Sequence, residues 1–141
     1  MRKPRSKPSI ERTATRKPVS AAHVKWLDDT TTMHIEKTTA KSEGVRLSIN
    51  RDGKEVARAY LFLMWNSLHE APFGLLEDVY VDESVRGSGL GTEIVNAVVT
   101  EAKGRGCYKL VATSRYARPK VHELYVRLGF KDHGKEFRID L

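Results

Sequence analysis

The sequence predicts one α/β domain with a mixed, mostly antiparallel sheet and with few helices in its N-terminal half. The 141 residues are 40% apolar and 30% charged, which is typical of one soluble globular domain. Two-residue alternation fills the first half, whereas strands and amphipathic helices alternate in the second half. No apolar run approaches the ~20 residues of a membrane-spanning helix, so we do not expect a membrane protein.

The positive charge of the chain is concentrated at its start. Residues 1–20 carry seven basic side chains and one acidic side chain, whereas the remaining 121 residues carry 18 basic and 17 acidic ones. This segment has three prolines and few apolar residues, so we expect a basic disordered tail at 1–20 before a domain at 21–141. The tail could make weak contacts with nucleic acid, ribosomes or anionic lipid, or it could act only as a solubilising extension.

Cys107 is the single cysteine, so the chain cannot form an internal disulfide, and no signal segment is recognisable at its start. We therefore expect a cytoplasmic protein. The five histidines show no pair at metal-ligand spacing, and no metal site is predicted. The oligomeric state stays open, with a dimer as one option.

The first half reads as a series of strands. Alternating apolar residues predict three of them, over 23–27, 33–38 and 45–49. Asp52 and Gly53 suit a tight hairpin turn that needs positive φ, and a longer strand is predicted over 55–65. Together these segments predict an antiparallel meander.

The second half alternates strand and helix. It predicts a strand, a helix and a strand joined as a parallel crossover, over 75–81, 90–105 and 108–113. Pro119 suits the first turn of a last helix, and Gly129 suits its end. Alternation over 137–141 predicts a closing strand.

A glycine-rich segment joins the strand at 75–81 to the following helix. Three glycines, Gly87, Gly89 and Gly91, allow a sharp turn whose amides, together with the helix N-terminus, could bind a phosphate. The segment lacks the Gly-Lys-Ser/Thr of a Walker loop, and Thr92 stands where a dinucleotide fingerprint needs its third glycine. A turn shaped only by packing is the alternative.

Two motifs give the segment its context. They are Leu76-Glu77-Asp78-Val79-Tyr80-Val81-Asp82 with Arg86-x-x-Gly89-x-Gly91, and His122-Glu123-Leu124-Tyr125-x-Arg127-Leu128-Gly129-Phe130. In this order and spacing, the stretch 75–141 resembles the GNAT family of acetyl-CoA-dependent N-acyltransferases. The resemblance implies a GNAT-type fold and an N-acetyltransferase that moves an acetyl group from acetyl-CoA to a primary amine. The transfer would be a direct attack in a ternary complex.

The resemblance also implies positions for the cosubstrate. The coenzyme A pyrophosphate would bind the loop residues Arg86, Gly87, Gly89, Leu90, Gly91 and Thr92. The pantetheine arm would pair with the backbone of Val79 and Val81. An asparagine that often precedes the last helix of relatives is replaced by Arg118, which could contact coenzyme phosphates, contact an acidic acceptor, or remain a solvated arginine.

Two residues are the candidates for proton transfer. Tyr125 occupies the family's tyrosine position and would reprotonate the departing thiolate, although its spacing with Val121 and Leu128 also fits a core tyrosine. Glu77 lies in the strand beside the expected acyl position and is the candidate base, or else a structural carboxylate. Its neighbour Asp78 is expected to point to the opposite face of the sheet.

The resemblance has a limit in the first half, because 30–50 looks too short and too strand-like for the two helices that wall the acceptor pocket of many relatives. Two rival functions also stay open. One is a nucleic-acid- or ribosome-associated protein that acts through its tail and binds acyl-CoA. The other is an inactive acyl-CoA-binding domain.

Overall fold

A computed structural model describes residues 33–141, and its compact unit is Ala40–Leu141. Four strands form one sheet in the order β1-β2-β3-β4, with bounds Ser42–Arg51, Lys54–Met64, Phe73–Val81 and Leu110–Ala112. The α-helices of the described chain are α1 (Leu90–Gly104) and α2 (Pro119–Arg127), and a short 3-10 turn spans Glu83–Val85. The predicted α/β class, with its helices in the second half, is confirmed.

The β1–β2 hairpin forms as the turn residues predict. Asp52 and Gly53 have φ values of 51° and 74°, which is the geometry of a two-residue turn that follows the right-handed twist of the strands. The strands then pair antiparallel from Arg51 beside Lys54 to Ser42 beside Met64. The strands predicted over 45–49 and 55–65 therefore exist, and the first is longer than expected.

The hydrophobic core lies between β2 and α1. Alternate residues of β2 are buried on the helix side, namely Ala57, Ala59, Leu61 and Leu63. The buried stripe of α1 repeats at helical spacing and consists of Leu90, Ile94, Val95, Val98 and Ala102. Each buried leucine, isoleucine or valine contributes about 1.5–3 kcal/mol relative to exposure, so this contact fixes α1 across the sheet.

The β3–α1–β4 unit is the predicted parallel crossover. Gly74 of β3 pairs with Leu110 of β4, and a side chain at 74 would come within 2.8 Å of Leu110 and 3.0 Å of Leu61. Glycine is therefore needed where the two strands approach closely. Strand β4 is shorter than the predicted 108–113.

Helix α2 ends as predicted, at a glycine. Gly129 has φ of 95°, its amide donates to Val126 O at 3.0 Å, and the Phe130 amide donates to Tyr125 O at 2.9 Å. This pair of bonds is the Schellman motif, which satisfies the last carbonyls of a helix. It also places Phe130 against Tyr125, with ring centroids 5.2 Å apart.

Two predicted strands are wrong. Residues 33–38 and 137–141 have no regular secondary structure, and Ile35, Phe137 and Ile139 are at least 80% exposed. Alternation alone did not suffice, since a strand also needs a partner edge, and the three-residue β4 offers few backbone groups to another strand. The strand predicted over 23–27 and the tail at 1–20 lie outside the described residues.

Candidate active site

Strand β3 continues beyond the end of its parallel partner β4. They pair only between 74–76 and 110–112, whereas β3 continues along β2 to Val81. From Glu77 onward, β3 therefore has no strand partner on its β4 side within residues 33–141. A crevice at the carboxyl ends of parallel strands is the usual ligand site of an α/β sheet.

The open edge of β3 contains the two valines predicted to bind the pantetheine arm. Val79 and Val81 pack their side chains against the hydrophobic core. What they can offer at the edge is therefore the backbone, which can pair with an extended chain as another strand would, and of which the Val81 carbonyl also accepts a bond from Arg86 Nε at 3.3 Å. This geometry suits the predicted role, which stays a prediction.

Asp82 shapes the loop between β3 and α1. Its amide donates to Val56 O at 2.9 Å, and one carboxylate oxygen accepts from the amide and the hydroxyl of Ser84 at 3.0 and 2.5 Å. The Lys54 ammonium, 2.8 Å from the other carboxylate oxygen, and then the Ser84 donors hold the pKa of Asp82 well below its usual range. Asp82 thereby attaches the loop to the β1–β2 hairpin.

The loop and the first turn of α1 present five backbone amides with no protein acceptor in the described chain, those of Gly87, Gly89, Leu90, Gly91 and Thr92. Gly87 and Gly89 have φ of 81° and 86°, a region that favours glycine. The first helical bond of α1 runs from Glu93 N–H to Gly89 O. Because the positive end of the helix dipole lies here, the amides fit an anion such as a pyrophosphate.

Arg86, the first residue of the loop motif, differs from the other five. Its amide donates to Glu83 O at 3.3 Å. Its guanidinium folds back onto Val81 O at 3.3 Å and onto the Glu83 carboxylate at 3.2 Å. Arg86 therefore supports the loop here, and its contact with a pyrophosphate stays a prediction.

Tyr125 and Glu77, the two candidates for proton transfer, interact electrostatically. Tyr125 is half-buried against the core. Burial, and then the negative charge of the Glu77 carboxylate, raise the pKa of the Tyr125 phenol. A phenol with a raised pKa keeps its proton at neutral pH, as a general acid must.

The expectation that Asp78 points away from Glu77 is wrong. Glu77 lies beside Tyr60 of β2, and the Asp78 carboxylate bonds Arg58, two residues earlier in that strand. Residues two apart on a strand share a face, so Glu77 and Asp78 both lie on the face remote from α1. A β-bulge at Asp78, whose φ is 46°, interrupts the alternation.

Two arginines of α2 lie near the loop or at the start of the helix. Arg118 is the exposed N-cap residue of α2, and its three alternative roles stay open. Arg127 lies with its Nη2 atom 3.4 Å from Thr92 Oγ1, which brings a cation to the start of α1. No role was predicted for Arg127 from the sequence, although the residue lies within the second motif.

Other polar groups contribute less to this site. Burial raises the pKa of the half-buried Cys107 thiol, which disfavours a nucleophilic role. Ser114, beyond β4, has a buried hydroxyl for which residues 33–141 provide no hydrogen-bond partner. Among residues 33–141 no cluster of His, Cys, Asp or Glu is placed to hold a metal ion, and none of the described helices is long and apolar enough to span a membrane.

The chain matches the model of the Acetyltransferase (GNAT) family over residues 10–130. A glucosamine 6-phosphate N-acetyltransferase of Trypanosoma brucei brucei is 38% identical over 68 residues, which are 48% of this chain and 44% of that protein. The chain spans only 33% to 44% of the three proteins with such names that it matches.

Two further similarities cover more of the chain. An aminoglycoside N(6')-acetyltransferase type 1 of Stenotrophomonas maltophilia is 30% identical, with 76% of this chain and 73% of that protein covered. The crystal structure of a Trypanosoma brucei acetyltransferase is 30% identical with a TM-score of 0.64, covering 70% of this chain and 69% of that one.

Proposed function

The chain belongs to the GNAT family of acetyltransferases, and from this premise we propose that it moves an acetyl group from acetyl-CoA to a primary amine. The observation that carries the proposal is the row of five amides at the start of α1 that have no acceptor among residues 33–141, beside the open end of β3. A pyrophosphate with an extended arm fits these two neighbouring features. No metal is needed for this chemistry.

Different residues at the start of α1 and along the open edge of β3 would bind different parts of the cosubstrate. The same five amides between Gly87 and Thr92 would hold the pyrophosphate, and the guanidinium groups of Arg86 and Arg127 would add positive charge beside it. The backbone of Val79 and Val81 would pair with the pantetheine arm. Arg118, exposed at the start of α2, would reach a phosphate or an acidic acceptor.

Acetyl-CoA supplies an acyl thioester, from which the acceptor amine takes the acetyl group by direct attack in a ternary complex. A carbon–nitrogen bond forms and the carbon–sulfur bond breaks. The Val79 amide would polarise the thioester carbonyl. Glu77 would accept the proton that the amine loses, and Tyr125 would donate its phenolic proton to the departing sulfur.

The acceptor class can be narrowed by the names of two relatives. One is named for glucosamine 6-phosphate and the other for aminoglycosides, and both acceptors are amines carried on sugars. We therefore propose that the acceptor is an amino sugar or a molecule that contains one. Polyamines, amino acids and lysine side chains are the competing acceptors.

Thiol release from acetyl-CoA tests the activity and its acceptor class together. The protein is incubated with acetyl-CoA and with amino sugars, polyamines, amino acids or a lysine peptide, and free coenzyme A is measured. Thiol release that depends on an amino sugar, with the acetylated amine identified by mass, is expected. If the protein binds coenzyme A but no amine causes thiol release from acetyl-CoA, the result contradicts the proposed enzymatic activity and favours the acyl-CoA-binding alternative.

Further aspects of this proposal concern the whole protein. We propose that the enzyme acts in the cytoplasm, consistent with the single, half-buried Cys107. We also propose that the basic tail at 1–20 is separate from the domain at 21–141 and that it makes weak contacts with polyanions without taking part in acetyl transfer. A dimer remains one option for the assembly.

A further inference from the structure

The bulge in β3 holds a non-glycine residue in an unfavourable backbone conformation. Arg58 of β2 lies beside Tyr80, and Tyr60 lies beside Glu77, so Asp78 and Val79 together occupy the place of one residue opposite Ala59. Asp78 has φ of 46°, in the left-handed region that most side chains avoid. The other non-glycine residue with positive φ in the described chain is Asp52, whose tight turn requires it. Asp78 instead lies within a strand.

Arg58 is arranged to hold Asp78 in that conformation. Its Nε atom lies 2.9 Å from Asp78 Oδ2, and its Nη2 atom lies 3.4 Å from Asp78 Oδ1, so both carboxylate oxygens are bound. Its Nη1 atom bonds the Glu55 carboxylate at 3.2 Å, and the guanidinium lies 4.5 Å from the centre of the Tyr80 ring. Two further neighbours, Glu55 and Tyr80, therefore hold the guanidinium that binds Asp78.

The bulge determines what the following residues can do. Because Asp78 is the extra residue, Glu77 stays on the face remote from α1 while Val79 returns to the core side. Loss of the bulge would shift the alternation of β3 by one residue on one side of this point. The carboxylate of Glu77 and the amide of Val79 would then lose their relative placement.

We propose that Arg58 is a positioning residue, which holds the Asp78 bulge and thereby aligns the Glu77 carboxylate and the Val79 amide for acetyl transfer. The proposal rests on the proposed N-acetyltransferase activity. The competing explanation is an ordinary surface ion pair, which would contribute little to stability and nothing to turnover.

The structure supplies a matched control. Arg46 lies on the same face of the sheet, one strand away, and its guanidinium also bonds Glu55 and the Tyr60 hydroxyl. In the described part of the chain, Arg46 makes no hydrogen bond with Asp78. Arg46→Met therefore removes a comparable arginine from the same network without touching the bulge.

The decisive comparison uses Arg58→Met, Asp78→Gly and the double variant of the full chain. A glycine adopts φ near 46° without strain, so it keeps the bulge accessible when the guanidinium is absent. We expect Arg58→Met to lower kcat by about 10- to 100-fold while KM for acetyl-CoA stays within about twofold. Asp78→Gly should cost less, and adding Arg58→Met to it should cost nothing further. If Arg58→Met does not fold, Arg58→Lys replaces it, with a smaller effect in the same direction.

Backbone amide NMR spectra give a measurement that does not depend on turnover. Arg58→Met should shift or broaden the amide signals of Glu77, Asp78 and Val79, whereas Arg46→Met should leave them in place. Unchanged signals in Arg58→Met overturn the proposal, as does a kcat loss no larger than that of Arg46→Met. A wild-type protein that acetylates no amine contradicts the proposed function, and the amide spectra then still decide whether Arg58 holds the bulge.

Discussion

Tyr125 is the residue on which the proposed chemistry depends most directly. Its ring packs against the core and against Phe130, and its hydroxyl lies where the charge of Glu77 raises the phenol pKa. The structure shows the core packing of Tyr125, and the acid role stays a prediction that is compatible with it, since a tyrosine with an apolar body and a polar tip can fill the core and still present a proton.

Tyr125→Phe should lower kcat about 100-fold or more, because a group that protonates the leaving thiolate acts mainly in the transition state. Affinity for acetyl-CoA, measured by calorimetry, should change by less than about twofold, since the ring is retained. Tyr116→Phe is the control, because Tyr116 is 83% exposed and precedes α2. Equal turnover of Tyr125→Phe and the wild type would leave Tyr125 a core residue only.

Glu77→Gln should lower the pKa of the Tyr125 phenol, because it removes the negative charge that helps to raise it. Folding favours the neutral phenol, so this group stabilises the fold below its unfolded pKa of about 10, and the stabilisation is lost as pH rises through the folded pKa. Tyrosinate absorbance during alkaline titration measures the change, with Tyr125→Phe in each background to isolate one phenol. An identical Tyr125 titration in the Glu77→Gln variant and the wild type would show that the Glu77 charge does not affect the Tyr125 phenol.

At the scale of elements, local sequence signals were reliable wherever a turn or a helix end required a special residue. Asp52 and Gly53 form the predicted hairpin turn, Pro119 begins α2 and Gly129 ends it. These signals succeed because a positive φ or a missing amide proton depends on the type of only one or two residues. Alternation at 33–38 and 137–141 failed because pairing depends on a partner strand elsewhere.

Gly89→Ala tests the loop at the start of α1. A side chain at φ of 86° is strained, and the amides should lose the arrangement that binds an anion. We expect the rise in melting temperature caused by coenzyme A to disappear, whatever the effect on the unliganded protein. Gly104→Ala at the other end of α1 should raise stability by about 0.4–1 kcal/mol and keep that rise. A full thermal shift in Gly89→Ala would place the coenzyme elsewhere.

For the whole molecule, the sequence predicted the crossover and the loop from local patterns, and the family resemblance predicted the roles of Tyr125 and Glu77. The bulge at Asp78 was not predictable, because it depends on how β3 is paired with Arg58 and Tyr60 of β2. The contact of Arg127 with Thr92 joins residues 35 positions apart, so it also escaped a reading of neighbouring residues.

The charge distribution makes a prediction at the same scale. Replacement of all seven basic residues of 1–20 with glutamine should leave turnover of a small amine within about twofold, because every residue proposed for the site lies outside 1–20. Binding of RNA or DNA should be lost, and wild-type binding should weaken about a thousandfold between about 50 and about 200 mM salt if all seven residues neutralise phosphates. Nucleic-acid binding that survives the replacement with an unchanged salt slope would assign it to the domain.

Asp82 has a consequence for how binding is communicated through the protein. Because its carboxylate bonds Ser84 on the loop side and Lys54 beside the hairpin turn, the loop and the turn are cross-braced through one side chain. An anion that restricts the motion of the loop should therefore also restrict the motion of the turn. The amides of 51–54 should then exchange their hydrogens with solvent more slowly when coenzyme A is bound. Coenzyme binding would thus slow hydrogen exchange in a hairpin turn that lies outside the proposed binding site.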